Sequence, residues 1–114
     1  MQTYGYPTLQ GIDNTEKTTL TLKANVEYYL QNTVNELEIQ LEPLVNSDIP
    51  GNYYLEFTTG DARPRVSIPD TAYYAIVEPI YESNTAYTFS IKEKRIANRS
   101  THYYEIAWSA TPLN

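Results

Sequence analysis

Between residues 35 and 42, polar and apolar side chains alternate, and this pattern limits the possible folds more than any other feature. The apolar side chains are Leu37, Ile39 and Leu41, and the polar ones are Glu36, Glu38, Gln40 and Glu42. A helix would scatter these acids around its axis, whereas an extended strand places alternate residues on opposite faces. The segment is therefore predicted to be a strand with one face on a core and the other in water.

The same alternation recurs along most of the chain. It is present near residues 18–23, 26–31, 53–57, 66–68, 87–91 and 104–108. Residues 72–77 are apolar on both faces, which fits a central strand or a strand at an interface. No segment keeps a helical period over ten or more residues. We therefore predict an all-β chain, an antiparallel β-sandwich of about eight strands with a jelly-roll-like arrangement.

The prolines and the first residues of the chain indicate where this sandwich ends. Pro64 stands at the entry to its strand, which predicts a position at a sheet edge. Residues 14–114 are expected to form a single domain, because 114 residues is a usual length for one. Residues 1–13 show no clear strand pattern and are predicted to be an extended N-terminal arm. Its Tyr4, Tyr6 and Leu9 are candidates for docking on a neighbouring protein or on another copy.

The composition excludes most catalytic and metal sites. The chain has no cysteine and one histidine, so disulfides, thiolate metal sites and multi-histidine metal sites are excluded. The sequence contains no nucleophile elbow and no phosphate-binding loop. We therefore expect a protein that is not an enzyme and has no cofactor, no metal ion and no catalytic residue. His102 is predicted to be an ordinary surface histidine.

The charge of the chain also narrows the range of partners. The net charge is −6, which opposes the neutralisation of phosphates on which nucleic-acid binding rests. One basic cluster, formed by Lys92, Lys94, Arg95 and Arg99, is predicted to be a solvated turn between two strands, with an acidic partner as the alternative. The first residues lack a signal-peptide pattern, and no apolar run could form a membrane helix. Neither a membrane location nor export through a signal peptide is expected.

Tyrosine is the most distinctive residue type, with 12 copies. Eight of these form four adjacent pairs, and neighbours on a strand face opposite ways. Tyr28, Tyr53 and Tyr104 are predicted to face the core, and Tyr29, Tyr54 and Tyr103 to face outward. Three interpretations of the outward rings remain open: pairing with neighbouring strands, packing on another protein copy, and stacking on sugar rings.

Five motifs occur in a fixed order along the chain: T-T-L-T-L-K-A-N-V-E-Y-Y-L at 18–30, L-E-I-Q-L at 37–41, G-N-Y-Y-L-E-F-T-T-G at 51–60, R-V-S-I-P at 65–69 and E-S-N-T-A-Y-T-F-S-I at 82–91. This order resembles that of small β-rich virion proteins and virion-protein modules of tailed phages. The resemblance covers residues 18–92 and extends through the tyrosine-rich end of the chain. Two departures are present: Lys23 stands where those proteins have a proline, and the connection 92–102 is long and basic.

This resemblance implies a structural protein of the virion, with capsid decoration or a head fibre as the favoured role. Such a protein is made in the host cytoplasm and assembles with other virion proteins, either capsid or fibre subunits, and with its own copies. The alternative is an adhesion or receptor-binding module of the virion that binds glycans. A bacterial cell-surface domain is less favoured, because no signal peptide is seen. The candidate interface residues are Tyr4, Tyr6, Leu9, Tyr29, Tyr54 and Tyr103.

Overall fold

A computed structural model describes residues 8–44, 49–95 and 102–113. These residues contain no helix, and hence no helix long and apolar enough to cross a membrane. They form nine strands: β1 (Thr8–Ile12), β2 (Lys17–Leu22), β3 (Val26–Leu30), β4 (Glu36–Leu41), β5 (Asn52–Thr58), β6 (Arg65–Ser67), β7 (Ala72–Tyr74), β8 (Thr85–Arg95) and β9 (His102–Pro112). The prediction of an all-β chain is confirmed.

The strands form two sheets of mixed direction. The larger sheet has the order β1-β3-β5-β8-β9-β7, and the smaller one has the order β2-β4-β6. Only the β5–β8 and β8–β9 pairs are antiparallel. The β1–β3, β2–β4, β3–β5, β4–β6 and β7–β9 pairs are parallel. The antiparallel part of the prediction is therefore right for two pairs and wrong for five.

Four of the five parallel pairs follow from how the first six strands are connected. Successive strands belong alternately to the larger and the smaller sheet, so each chain segment leaves a sheet and later returns to it in the same direction. Thr8 pairs with Val26, and Lys17 pairs with Glu36, so each of these returns takes about 18 residues. The alternation of side chains reveals each strand but not its partner. Most of the connections between consecutive described strands are crossings between the two sheets.

One face of each sheet contributes to a shared core. The buried cluster contains Leu20, Leu22, Tyr28, Leu30, Val34, Leu37, Ile39, Tyr53, Leu55, Phe57, Tyr87, Phe89, Ile91, Tyr104 and Ile106. Tyr28, Tyr53 and Tyr104 are all buried, which confirms their predicted inward direction. At the centre of the larger sheet the rings of Phe57 and Phe89 meet edge to face, with centroids 5.4 Å apart.

Two asparagines bond reciprocally and join the chain after β1 to the chain after β3. Asn14 follows β1 and is buried, and Asn32 follows β3. The Asn14 Oδ1 atom accepts from the Asn32 backbone N–H (2.8 Å), and Asn14 Nδ2 donates to the Asn32 carbonyl (2.9 Å). In return, Asn32 Nδ2 donates to the Asn14 carbonyl (2.8 Å). The two corners thus satisfy each other's backbone groups where no strand ladder is present.

Two predicted segments differ from the structure. Thr8–Ile12 of the predicted arm forms β1, so the arm prediction is wrong for these residues. The strand was missed because its first three side chains are all exposed, which leaves no alternation to detect. Within 72–77 only Ala72–Tyr74 is a strand, and it lies at the end of the larger sheet, so a central position is wrong. The edge position predicted from Pro64 is confirmed, because β6 ends the smaller sheet.

We expect Asn14→Ala to lower the free energy of unfolding by about 1–3 kcal/mol, because it removes two hydrogen bonds between the buried Asn14 side chain and the Asn32 backbone, each contributing about 0.5–1.5 kcal/mol. Urea titration followed by circular dichroism measures this loss. Thr33→Ala, at an exposed position beside the same corner, is the control and should change stability by about 0.5 kcal/mol or less. Equal losses in the two variants would contradict the role of the asparagine pair.

Candidate partner-binding site

The outer face of the larger sheet carries two of the predicted outward tyrosines. Tyr29 lies on β3 beside Gly11 of β1, with which it is in register. A Cβ atom at Gly11 would lie 2.6 Å from Tyr29 Cζ and 2.7 Å from Gln31 Nε2. Because glycine has no side chain, Gly11 leaves room for the Tyr29 ring to lie across β1. The ring is half-buried by this contact.

Tyr54 forms one wall of a shallow groove on the same face. The groove has a volume of about 310 Å³, and its polar lining comes from Asn25, Glu27, Asn52 and Ser90. Tyr54 is in register with Glu27 on β3. Burial, and secondarily the Glu56 carboxylate, raises the pKa of Tyr54, so its phenol remains protonated at neutral pH. The groove thus combines the Tyr54 ring with two amides and one carboxylate.

The remaining predicted interface residues are divided between this face and other regions. Leu9 is exposed on the outer face of β1, in register with Glu27. Tyr103 is half-buried on β9, two strands beyond β5 in the sheet order. Tyr4 and Tyr6 lie outside the described residues. Of the six candidates, the structure therefore brings Leu9, Tyr29 and Tyr54 together on three adjacent strands, and Tyr103 lies farther along the sheet.

A buried carboxylate is present where the sequence predicted only a solvated basic turn. The Glu93 side chain is fully buried and accepts hydrogen bonds from the Gly51 N–H (2.8 Å) and from Arg95 Nη2 (3.2 Å). Its second oxygen contacts His102 Nδ1. Arg95 also donates to the Leu44 carbonyl (3.0 Å). This cluster, the Glu93 cluster, ties the start of β5 to the paired ends of β8 and β9.

Two predictions are wrong at the Glu93 cluster. His102 is not an ordinary surface histidine, since its side chain is only 26% exposed and contacts Glu93. Lys92, Lys94 and Arg95 belong to β8 and not to a turn, and Arg99 lies outside the described residues. The burial of Glu93 could have been predicted from the alternation of side chains, because Glu93 continues the inward series of Tyr87, Phe89 and Ile91. Extending that series by one step would have placed a carboxylate in the core.

The surroundings of Glu93 favour its ionised form. Burial opposes ionisation, but the hydrogen bonds from Gly51, His102 and Arg95 together outweigh it and hold the pKa of Glu93 below its ordinary value of 4.5. Burial, and secondarily the charge of Glu93, raises the pKa of nearby Tyr104. The described residues contain no group of three or more histidine, aspartate or glutamate side chains arranged to hold a metal ion. The geometry of the Glu93 cluster fits a structural clamp.

An apolar surface lies beyond β7. In the sequence it was indicated only by residues 72–77, which are apolar on both faces of the predicted strand. Ile76 is 96% exposed, Ile80 77% and Val77 58%. We call these three residues the Ile76 surface. Their backbone is held in place, because Trp108 Nε1 donates to the Val77 carbonyl (2.7 Å). The hydroxyl groups of Tyr74 and Tyr81 also bond to each other (2.7 Å) on either side of this segment.

Comparison of the chain with family models, with curated proteins and with solved structures finds no match. The functional interpretation therefore rests on the surfaces described above and on the motifs in the sequence.

We expect Glu93→Gln to lower the free energy of unfolding at pH 7 by about 1–3 kcal/mol, because it removes a buried charge that accepts several hydrogen bonds. The folded pKa of Glu93 lies below the unfolded value, so its stabilising effect is present above pH 4.5 and is lost as the pH falls through the folded pKa. Denaturation of both proteins from pH 7 to pH 3 measures this difference. A difference independent of pH would contradict the assignment, and Glu38→Gln on the exposed face of β4 is the control.

Proposed function

We propose that the chain is a two-layer β-sandwich that serves as a structural protein of a tailed-phage virion, as a capsid-decoration or head-fibre subunit. The observation that carries this proposal is the Ile76 surface. An ordered segment that keeps three large aliphatic side chains in water lacks the contact that would normally cover them. Contiguous exposed apolar residues are typical of sites where proteins assemble.

The sandwich arrangement is supported by the shared core. Residues of the three-stranded sheet, such as Leu22 and Ile39, belong to the same buried cluster as Leu55 and Phe89 of the six-stranded sheet. Two sheets that face each other across one core make a two-layer sandwich. The crossings between layers replace the hairpins that an ordinary jelly roll would have.

The virion role is supported by the resemblance in the motifs. The motif at 18–30 corresponds to β2 and β3, and the motif at 51–60 corresponds to β5. These strands form the core, so the resemblance concerns the scaffold. The surface that binds a partner must then lie outside these scaffold motifs. The Ile76 surface does lie outside all of the quoted motifs. Many weak contacts of this kind become strong when they are repeated over a particle.

We expect Ile76→Lys combined with Ile80→Lys to reduce incorporation into particles by about tenfold or more, because two charges would replace the apolar contact. Incorporation is measured by gel densitometry of particles assembled with the other virion proteins. The fold should be retained, since both side chains are exposed. The control is Thr19→Lys with Thr21→Lys on the exposed face of β2. Undiminished incorporation of the double isoleucine variant would refute this role for the surface.

The groove beside Tyr54 favours a second candidate function, the binding of a glycan of the host cell surface. Sugar rings stack on aromatic faces, and their hydroxyl groups pair with amides and carboxylates. Tyr54, Asn52 and Glu27 supply one group of each kind along the groove. This function would make the chain an adhesion or receptor-binding module of the virion.

If the groove binds a glycan, an array probed with the purified protein should show saturable binding that Tyr54→Ala lowers by about twofold to tenfold, since a contact with an aromatic ring contributes about 0.5–1.5 kcal/mol. Tyr73→Ala, which removes an exposed ring at the far edge of the sheet, is the control. Binding that persists in Tyr54→Ala would exclude the groove. If the protein binds none of the glycans on the array, assembly would remain as the supported function.

A further inference from the structure

We propose that copies of this chain associate head to tail, with strand β7 of one copy pairing with strand β1 of the next. The six-stranded sheet would then continue from copy to copy. This inference deepens the proposed assembly role and rests on it for its biological setting. It names a second copy of the chain as the partner and identifies the two edges that meet.

The direction of the strands makes such a joint geometrically consistent. β1 and β7 are the two ends of the same sheet. β1, β3 and β5 run in one direction, β8 runs against them, and β9 and β7 run with them again. The two edge strands therefore point the same way. Placing β1 of one copy beside β7 of another would add a parallel pair, like the β1–β3 and β7–β9 pairs at the two ends of the sheet.

The two edges of the larger sheet also lack the features that usually protect an edge. Proteins block open edges with charged residues and prolines. β1 has the sequence T-L-Q-G-I and β7 has A-Y-Y, so neither contains a charge or a proline. The edges of the smaller sheet are different. β2 begins with Lys17, and β6 begins with Arg65. The contrast within one molecule favours pairing at the unprotected edges.

The exposed side chains at the two edges complement each other. Leu9 is 65% exposed and lies in register with Glu27, while Tyr73 is 45% exposed and lies in register with Glu105. Both therefore occupy the outer face, opposite the buried Tyr28 and Tyr104. In a continuous sheet these two side chains would lie on the same face and cover each other. On the inner face, the half-buried Ile12 and Tyr74 belong to the rim of the core and would become more buried.

Head-to-tail pairing has a consequence for the assembly. Two different patches meet in such a contact, so a pair of copies keeps a free β1 edge on one copy and a free β7 edge on the other. Contacts of this type generate rings when the rotation closes and filaments when it does not. A two-fold dimer would instead pair β1 with β1 or β7 with β7. The two arrangements can be separated by experiment.

The experiment uses single cysteines in the purified full chain, which has none of its own. Leu9→Cys and Tyr73→Cys are mixed and treated with a short bismaleimide. Head-to-tail pairing predicts a covalent dimer in the mixture at a yield about fivefold or more above that of either variant alone. Within one copy the two positions lie at opposite edges, five strand spacings or about 24 Å apart, so that internal cross-linking is excluded. The double variant should form a ladder of higher oligomers.

The control pair is Thr19→Cys with Ser67→Cys, on the protected edges of the smaller sheet. This mixture should show only background cross-linking. Absence of a dimer from the Leu9 and Tyr73 mixture, or an equal yield from either variant alone, would overturn head-to-tail pairing. The assay needs no other virion protein, so its failure is separate from a failure of particle incorporation, which tests the virion role through the Ile76 surface.

Discussion

The structure depends on backbone pairing between strands that are not neighbours in the sequence. Among the nine described strands, β8 and β9 alone are consecutive and pair directly, and they share an 11-residue register from Thr85↔Pro112 to Arg95↔His102. This hairpin can form locally, and it presents one side to β5 and the other to β7. The remaining strands pair with strands about 18 or more residues away in the sequence, which makes folding slow relative to a simple meander. The Glu93 cluster lies at the open end of the hairpin and holds Gly51, the residue just before β5.

Burial is encoded locally in the sequence, whereas pairing is not. The alternation in 35–42 placed Leu37 and Ile39 in the core, and both are buried. The same pattern could not show that β4 pairs with β2 and β6, because side-chain period is the same in parallel and antiparallel sheets. β1 shows the opposite limit. Its backbone pairs fully with β3 while its first three side chains are exposed, so its pairing left no trace in hydrophobicity.

The direction of a side chain on a strand could be predicted from the sequence, whereas the contacts that bury it could not. Tyr29 and Tyr54 were placed outward by their neighbours on the strand, and their half-buried state came from contacts that only the fold creates, such as the space at Gly11. Glu93 was missed because acidic residues are usually solvated, as Glu38 is on β4. Its strand parity indicated the core, and the partners that make its burial tolerable come from other parts of the chain: Gly51, 42 residues away, and His102 on the paired strand β9.

The winding of the chain sets the direction of the two edge strands of the larger sheet. A six-stranded sheet that alternates strictly has edges that run in opposite directions, whereas the parallel pairs found here make β1 and β7 run alike. A joint between β7 and β1 is limited to the length of β7, three residues, and parallel pairing is slightly weaker than antiparallel pairing. Such a joint is weak by itself and needs a second contact on the same side of the molecule. The Ile76 surface follows β7 directly and lies close enough to supply it, so that edge pairing sets the direction of assembly and apolar burial adds most of its strength.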